Sequence, residues 1–101
     1  AMEVFATDEY QAWIDELKDR AGRSRVLMRV DRLIHGNPGQ HRNLTEGVSE
    51  LKIDSGPGYR VYYSFRGDHL LLLLAGGNKA TQNKDIDKAL ELNRLFKEFP
   101  Q

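Results

Sequence analysis

Residues 50–82 constrain the fold more than any other part of this 101-residue chain. Two segments of alternating apolar and polar residues, at 48–55 and 59–66, are joined by a Gly-Pro-Gly sequence. Alternation with so short a connection predicts an antiparallel β-hairpin. After a Gly-Asp turn, the uninterrupted leucine run at 70–74 predicts a central strand that is covered on both faces.

Two helices are predicted before this sheet. The first has an apolar face at helical spacing, made by Tyr10, Trp13, Ile14, Leu17 and Ala21. Thr7 or Asp8 suits its start and Gly22 its end. A second helix is predicted from Ser24 to about His35, with an apolar face of Val26, Leu27, Val30, Leu33 and Ile34. The short connection predicts that the two helices form an antiparallel hairpin.

A last helix is predicted from Thr81 onward, ending before Pro100. Its apolar face consists of Ile86, Ala89, Leu90, Leu92, Phe96 and Phe99. With a short first strand at 3–6, these elements predict an α+β fold: a small twisted antiparallel sheet, an N-terminal helical hairpin packed on one face, and a C-terminal helix. We expect one domain over residues 2–100, with Met2 as the natural start, and a second sheet face that is partly open.

Composition narrows the classes of function. Fifteen basic and fifteen acidic side chains balance, which argues against strong non-specific nucleic-acid binding through bulk charge. The absence of cysteine excludes disulfides, thiolate metal sites and cysteine nucleophiles, and it suits a reducing cytosol. Because we find no membrane-length apolar run and no leader sequence, we expect a cytoplasmic protein without membrane contact.

Familiar catalytic patterns are missing from the sequence. His35, His41 and His69 have no metal-ligand spacing, and no zinc-protease motif or paired carboxylates appear. The glycine pair at 76–77 lacks the remaining glycines and the βαβ context of a nucleotide-binding fingerprint. We therefore expect no metal and no small-molecule cofactor.

The predicted hairpin places Lys52, Arg60 and Tyr62 on the open face of the sheet. Two registers satisfy the alternation, one with Lys52 opposite Arg60 and one with Lys52 opposite Tyr62. In either register the three side chains form one cluster. The cluster is a candidate anion site, and the alternative is a set of solvated ion pairs with Glu50 and Asp54.

Two further cationic features accompany this cluster. At 76–82 a strand passes into a helix, where free backbone N–H groups and Lys79 can meet an anion, although glycines there can also serve only a sharp turn. On the second helix Arg25, Arg29 and Arg32 share an exposed face. That face is either solvated or a contact surface for RNA phosphate or an acidic partner.

Three segments carry a resemblance to a known family. The sequence ELKIDSGPGYRVYY at 50–63 resembles the core of the RelE/ParE superfamily of toxin–antitoxin toxins, more narrowly the addiction-module killer proteins grouped with HigB. The sequences LLLAGGNKATQ at 72–82 and GNPG at 36–39 are similar to further signatures of that subfamily. The resemblance implies a RelE-like fold and a metal-independent endonuclease that cuts mRNA on the ribosome. It also implies a co-encoded antitoxin, usually a helix-turn-helix protein.

Site residues follow from the same resemblance. In such an enzyme the RNA 2′-hydroxyl attacks its own phosphate and leaves a 2′,3′-cyclic phosphate. Arg60 matches the strand arginine that stabilises charge, Lys52 is expected to stabilise charge or supply a proton, and Lys79 to hold an adjacent phosphate. Tyr62 is expected to stack on a base or to pack, and Gln82 is assigned to substrate binding.

The general base is missing from this set. Well-studied members carry a histidine or tyrosine just after the last strand, and this chain has neither there. Two alternatives therefore stay open: a ParE-like toxin that binds DNA gyrase and cleaves nothing, and a toxin that retains only antitoxin binding.

Overall fold

The computed structural model describes residues 2–97. Five strands and three α-helices follow one another in the order β1 (Glu3–Ala6), α1 (Asp8–Glu16), α2 (Arg20–Ile34), β2 (His41–Asn43), β3 (Val48–Ile53), β4 (Tyr59–Arg66), β5 (Leu70–Asn78) and α3 (Gln82–Lys97). A single 3₁₀ turn, Lys79–Thr81, joins β5 to α3. The predicted α+β fold is confirmed.

The five strands form one mixed sheet in the order β1-β5-β4-β3-β2. Strands β2 to β5 pair with their neighbours in antiparallel register, as predicted. The first strand departs from the antiparallel expectation, because β1 runs parallel to β5 along the opposite edge. Its amide at Glu3 donates to the His69 carbonyl, which fixes where the parallel pairing begins.

The predicted boundary between the two N-terminal helices was wrong. The first helix ends at Glu16, and the second begins at Arg20 rather than Ser24. Asp19 decides the boundary, because its carboxylate accepts a 3.0 Å hydrogen bond from the Gly22 amide and so caps the second helix. Gly22 therefore lies inside α2, and a side chain there would overlap the ring of Tyr59.

Two apolar layers sandwich the sheet. The first layer joins the N-terminal helices to one sheet face and includes Tyr10, Ile14, Val26, Val30, Leu33, Leu51, Ile53, Val61 and Tyr63. The second layer joins α3 to the other face and includes Val48, Tyr62, Leu70, Leu72, Leu74, Ala75 and Ala89. Because α3 lies mainly over β5 and β4, the second face is open beside β2 and β3.

Some side chains differ from the predicted pattern. Leu27, expected inside, is 41% exposed. Tyr62, expected on the open face, is buried because α3 covers that part of the sheet. The predictions for Phe99 and Pro100 lie outside the described residues. Between residues 2 and 97, no helix is long and apolar enough to cross a membrane.

Candidate functional site

The open part of the second sheet face forms a shallow cavity, which we call the Lys52 cavity. Its volume is ≈ 430 Å³, and its lining residues are Gln40, His41, Arg42, Glu50, Lys52, Arg60 and Gln82. They come from β2, β3, β4 and the start of α3, together with the turn before β2. Three of the seven are cations, so the cavity is suited to an anion.

Lys52 and Arg60 occupy facing positions on β3 and β4. The first of the two predicted registers is therefore confirmed. Lys52 is half-buried, whereas the Arg60 side chain is only 6% exposed. One terminal nitrogen of Arg60 donates a 2.5 Å hydrogen bond to the Gly58 carbonyl, which fixes the guanidinium at the cavity wall.

The Glu50 carboxylate lies beside Arg60 and is itself almost fully buried. Its oxygens accept hydrogen bonds from Arg42 Nε at 2.7 Å, Gln82 Nε2 at 2.9 Å and the Tyr62 hydroxyl at 3.0 Å. Burial alone would favour the neutral acid, but these donors hold the pKa of Glu50 below its usual value. Glu50 is therefore ionised at neutral pH and is a poor general base.

Tyr62 packs and does not present its ring to a ligand. Its ring is completely buried under α3, which agrees with packing, one of the two expected roles, and corrects the other, stacking on a base. Burial, followed by the neighbouring charge of Glu50, raises the pKa of the Tyr62 hydroxyl. The hydroxyl therefore stays protonated and serves as a donor to Glu50.

Lys79 lies just outside the Lys52 cavity, on the 3₁₀ turn. It is exposed and contributes to a neighbouring cavity with Gln82, which lines both. Gly58 lies between Lys79 and Arg60, since a methyl group on Gly58 would meet both side chains. The structure thus brings Lys52, Arg60, Gln82 and Lys79 to one region.

The backbone amides expected to hold an anion at this helix start are already occupied. The Asn78 side chain accepts from the amides of Ala80 and Thr81 and closes a capping box with Thr81. The amide of Lys79 points to the Pro57 carbonyl at 3.4 Å. At Lys79 the side chain, and not the amide, is therefore the group available to a phosphate.

The glycine pair before this turn serves close packing on both sheet faces. A side chain at Gly76 would overlap the Trp13 ring, and one at Gly77 would overlap the Asp85 carboxylate. Asp85 accepts a hydrogen bond from the Thr81 hydroxyl, which itself accepts one from the Asn78 amide, so the first turn of α3 is tied to the end of β5. The glycines thus place α3, and with it Gln82, against the cavity.

The arginines of α2 separate into two groups. Arg25 and Arg32 are exposed, as predicted. Arg29 is part-buried, and it donates to the carbonyls of Lys52, Pro38 and Gln40 at 2.8–3.0 Å. The expectation of an exposed Arg29 was therefore wrong, because this side chain ties α2 to the end of β3. A second cavity of ≈ 490 Å³ is lined by all three arginines, and it shares Gln40 with the Lys52 cavity.

Four lining residues were not assigned to the site from the sequence: Gln40, His41, Arg42 and Glu50, of which Glu50 was expected only as an ion-pair partner. Arg42 and Glu50 form the closest ion pair of the cavity, at 2.7 Å. They face each other on β2 and β3, and β2 was too short to give a clear alternating pattern. Within residues 2–97 there is no group of three histidine or acidic side chains that could hold a metal ion.

Two sequence comparisons relate this chain to known proteins. Residues 12–94 match the family model "Phage derived protein Gp49-like (DUF891)". An uncharacterised protein of Haemophilus influenzae is 38% identical over 88 residues, which cover 87% of this chain and 89% of that protein.

One solved structure has the same fold. It is a mutant of the Escherichia coli toxin RelE in its free state, with a TM-score of 0.71 at 15% identity, and the match covers 90% of this chain and 96% of that one. The chain therefore belongs to the Gp49-like family and has the fold of the RelE toxin.

Proposed function

We propose that this protein is the toxin of a type II toxin–antitoxin pair and a metal-independent endoribonuclease that cuts mRNA on the ribosome. Within the superfamily we place it with the HigB-like addiction-module killer proteins. The observation that carries the proposal is the facing pair of Lys52 and Arg60 in a concave cationic cavity. Ribosomes are its site of action, so the protein works in the cytoplasm.

The reaction needs charge stabilisation more than anything else. The 2′-hydroxyl oxygen attacks the adjacent phosphorus, the bond to the 5′-oxygen breaks, and a 2′,3′-cyclic phosphate and a 5′-hydroxyl result. Negative charge builds on the phosphoryl oxygens in the transition state. Cations held in fixed positions stabilise that charge without reorganising. Arg60, held by Gly58, meets this requirement.

The remaining residues divide the work between proton transfer and binding. Lys52, opposite Arg60, stabilises the phosphorane and gives a proton to the leaving 5′-oxygen. Lys79 binds the next phosphate along the strand from its exposed position on the 3₁₀ turn, and Gln82 binds at the boundary between the two cavities. Arg25 and Arg32 extend the cationic surface past Gln40 and contact more distant phosphates.

The proposed function also requires an antitoxin partner. We place a co-encoded antitoxin, a helix-turn-helix protein, as the partner that neutralises this chain. Growth of cells that express the chain alone should stop, and co-expression of the neighbouring antitoxin gene should restore it.

One observation favours a second function, that of a ParE-like gyrase inhibitor. The carboxylate in the Lys52 cavity, Glu50, is engaged by three hydrogen bonds and has a lowered pKa. No carboxylate among the described residues of this cavity is therefore free to accept the 2′-hydroxyl proton. In the endonuclease that proton has to leave to solvent or to a group of the ribosome.

Mapping of 5′ ends on cellular RNA after induction separates the two functions. The endonuclease predicts new 5′-hydroxyl ends inside translated messages, spaced by codons, with chromosomal DNA intact. Uncut messages together with broken or relaxed DNA would support the gyrase inhibitor and overturn the nuclease.

A further inference from the structure

We propose that Glu50 is a positioning residue of the Lys52 cavity and that Arg42, which it holds, is a further group that binds an RNA phosphate. The inference rests on the proposed function for the identity of the ligand, a single-stranded RNA. It concerns two residues to which the preceding mechanism gives no part.

Glu50 connects side chains from several elements at one buried point. It accepts from Arg42 on β2, Tyr62 on β4 and Gln82 on α3, and Arg60 Nε lies 3.8 Å away. Burying a carboxylate costs free energy of folding, and an apolar side chain of similar volume often gives a protein that is at least as stable. An apolar side chain would, however, leave Arg42 and Gln82 without an anchor.

Arg42 is held at one end and available at the other. Its Nε is committed to Glu50 at 2.7 Å, while the side chain remains 57% exposed. An arginine has five N–H donors, and the remaining four make no hydrogen bond within residues 2–97. A guanidinium fixed through Nε, with its terminal nitrogens unengaged, is suited to a phosphate.

Arg60 also has an N–H donor without an acceptor in the part of the chain that the structure describes. Its Nε is buried and has no hydrogen-bond partner among the described residues. At 3.8 Å the Glu50 oxygen is too far to accept from it. A phosphate that enters between Arg42 and Arg60 would supply acceptors to both guanidinium groups, with Glu50 behind them as the fixed counter-charge.

The positioning role of Glu50 and simple electrostatics predict opposite changes in RNA affinity when the Glu50 charge is removed. Glu50 is an anion inside a site for an anion, so loss of its charge in Glu50→Gln should strengthen RNA binding if charge alone matters. If Glu50 acts by holding Arg42, the same substitution weakens binding. The sign of the change therefore separates the two roles.

The experiment measures binding of a fluorescent single-stranded RNA in which 2′-O-methyl groups prevent cleavage. We expect Arg42→Ala to raise Kd about tenfold and to reduce the salt dependence by about one phosphate contact. Glu50→Gln should raise Kd about threefold or more, and the double variant should bind no more weakly than Arg42→Ala alone. Arg42→Lys should recover part of the loss, and Arg20→Ala serves as an exposed cationic control on α2.

Several outcomes overturn the proposal. They are unchanged Kd in Arg42→Ala, tighter binding by folded Glu50→Gln, additive effects in the double variant, and no binding by the unmodified protein. If Glu50→Gln does not fold, the comparison of Arg42→Ala with Arg42→Lys still tests whether Arg42 binds the RNA. Because Arg42 is exposed, both of these variants should fold. RNA binding with the expected effects but no cleavage of translated messages would leave this inference standing and overturn the nuclease.

Discussion

Lys52 and Arg60 lie directly opposite each other on β3 and β4, so two positive side chains share one cross-strand position. Like charges placed this way destabilise an antiparallel pair by a few tenths of a kcal/mol to about 1 kcal/mol. Glu50 offsets part of that repulsion from 3.8 Å. The pair therefore lowers stability at the position where the proposed reaction needs positive charge.

Lys52→Met tests this exchange between stability and function. The substitution keeps most of the apolar stem and removes the charge opposite Arg60. We expect the free energy of unfolding to stay constant or to rise by about 0.5 kcal/mol, while growth arrest is lost. Urea denaturation and growth curves measure the two effects, with Lys18→Met as the exposed control. A variant that keeps toxicity and loses stability would show that Lys52 supports the fold only.

Tyr62→Phe tests the buried hydrogen bond to Glu50. Removing the hydroxyl leaves a buried carboxylate with one donor fewer, which should lower the free energy of unfolding by about 1–3 kcal/mol. Tyr59→Phe is the matched control, because its hydroxyl bonds to the exposed Asp19 and its loss should cost less. Chemical denaturation gives both values.

Tyr62→Phe should also retain toxicity at a temperature where it is folded. The ring is fully buried, so it has no direct contact with RNA to lose. A stable but inactive Tyr62→Phe would contradict the packing role described here.

The dependence of stability on pH follows from Glu50. Its pKa in the folded protein lies below the ordinary value of 4.5, since hydrogen bonds from Arg42, Gln82 and Tyr62 outweigh the cost of burial. The stabilising contribution is therefore fully present above pH 4.5 and is lost as the pH falls through the folded pKa. We expect the difference in unfolding free energy between wild type and Glu50→Gln to be constant from pH 7 to pH 5.

Below pH 4.5 the extra stability of the wild type over Glu50→Gln should shrink. Denaturation curves for both proteins at a series of pH values measure it. A difference that grows on acidification would mean that Glu50 is protonated in the folded protein.

The arginines of α2 should separate into a structural and a binding group. Arg29→Ala removes three hydrogen bonds to carbonyls and should lower the melting temperature by several degrees. Arg25→Ala and Arg32→Ala change exposed side chains and should leave the melting temperature within about 2 °C. Only these two should weaken binding to a polyanion, and less so as salt is raised. Unchanged affinity in both variants would leave their face simply solvated.

The β3–β4 hairpin was predictable because apolar and polar residues alternate along both of its strands. The alternation of residues 48–66 and the glycine-rich turn restricted the pairing of Lys52 to two registers, and the structure has one of them. The helix boundary at Gly22 was missed, because glycine often ends a helix while Asp19 here caps a new one. A parallel β1 has no local signal, since its partner β5 lies more than sixty residues away.

The candidate site was only partly predictable, for a different reason. Alternation assigns Tyr62 and Glu50 to a face, but it does not say which part of that face α3 covers. Whether a polar side chain is solvated or buried depends on that long-range packing. Arg42 lies on a three-residue strand with no apolar pattern, and its pairing with Glu50 appears only when β2 is placed beside β3.

The rate of mRNA cleavage on translating ribosomes tests the central claim most directly. At saturating protein, we predict that Arg60→Ala and Lys52→Ala each lower the rate by about 100-fold or more, which is the usual effect of removing one group that stabilises transition-state charge. Lys18→Ala, an exposed cation away from the Lys52 cavity, should cleave at the wild-type rate. Rates within twofold of wild type for folded Arg60→Ala and Lys52→Ala would contradict the assignment of this cavity to the scissile phosphate.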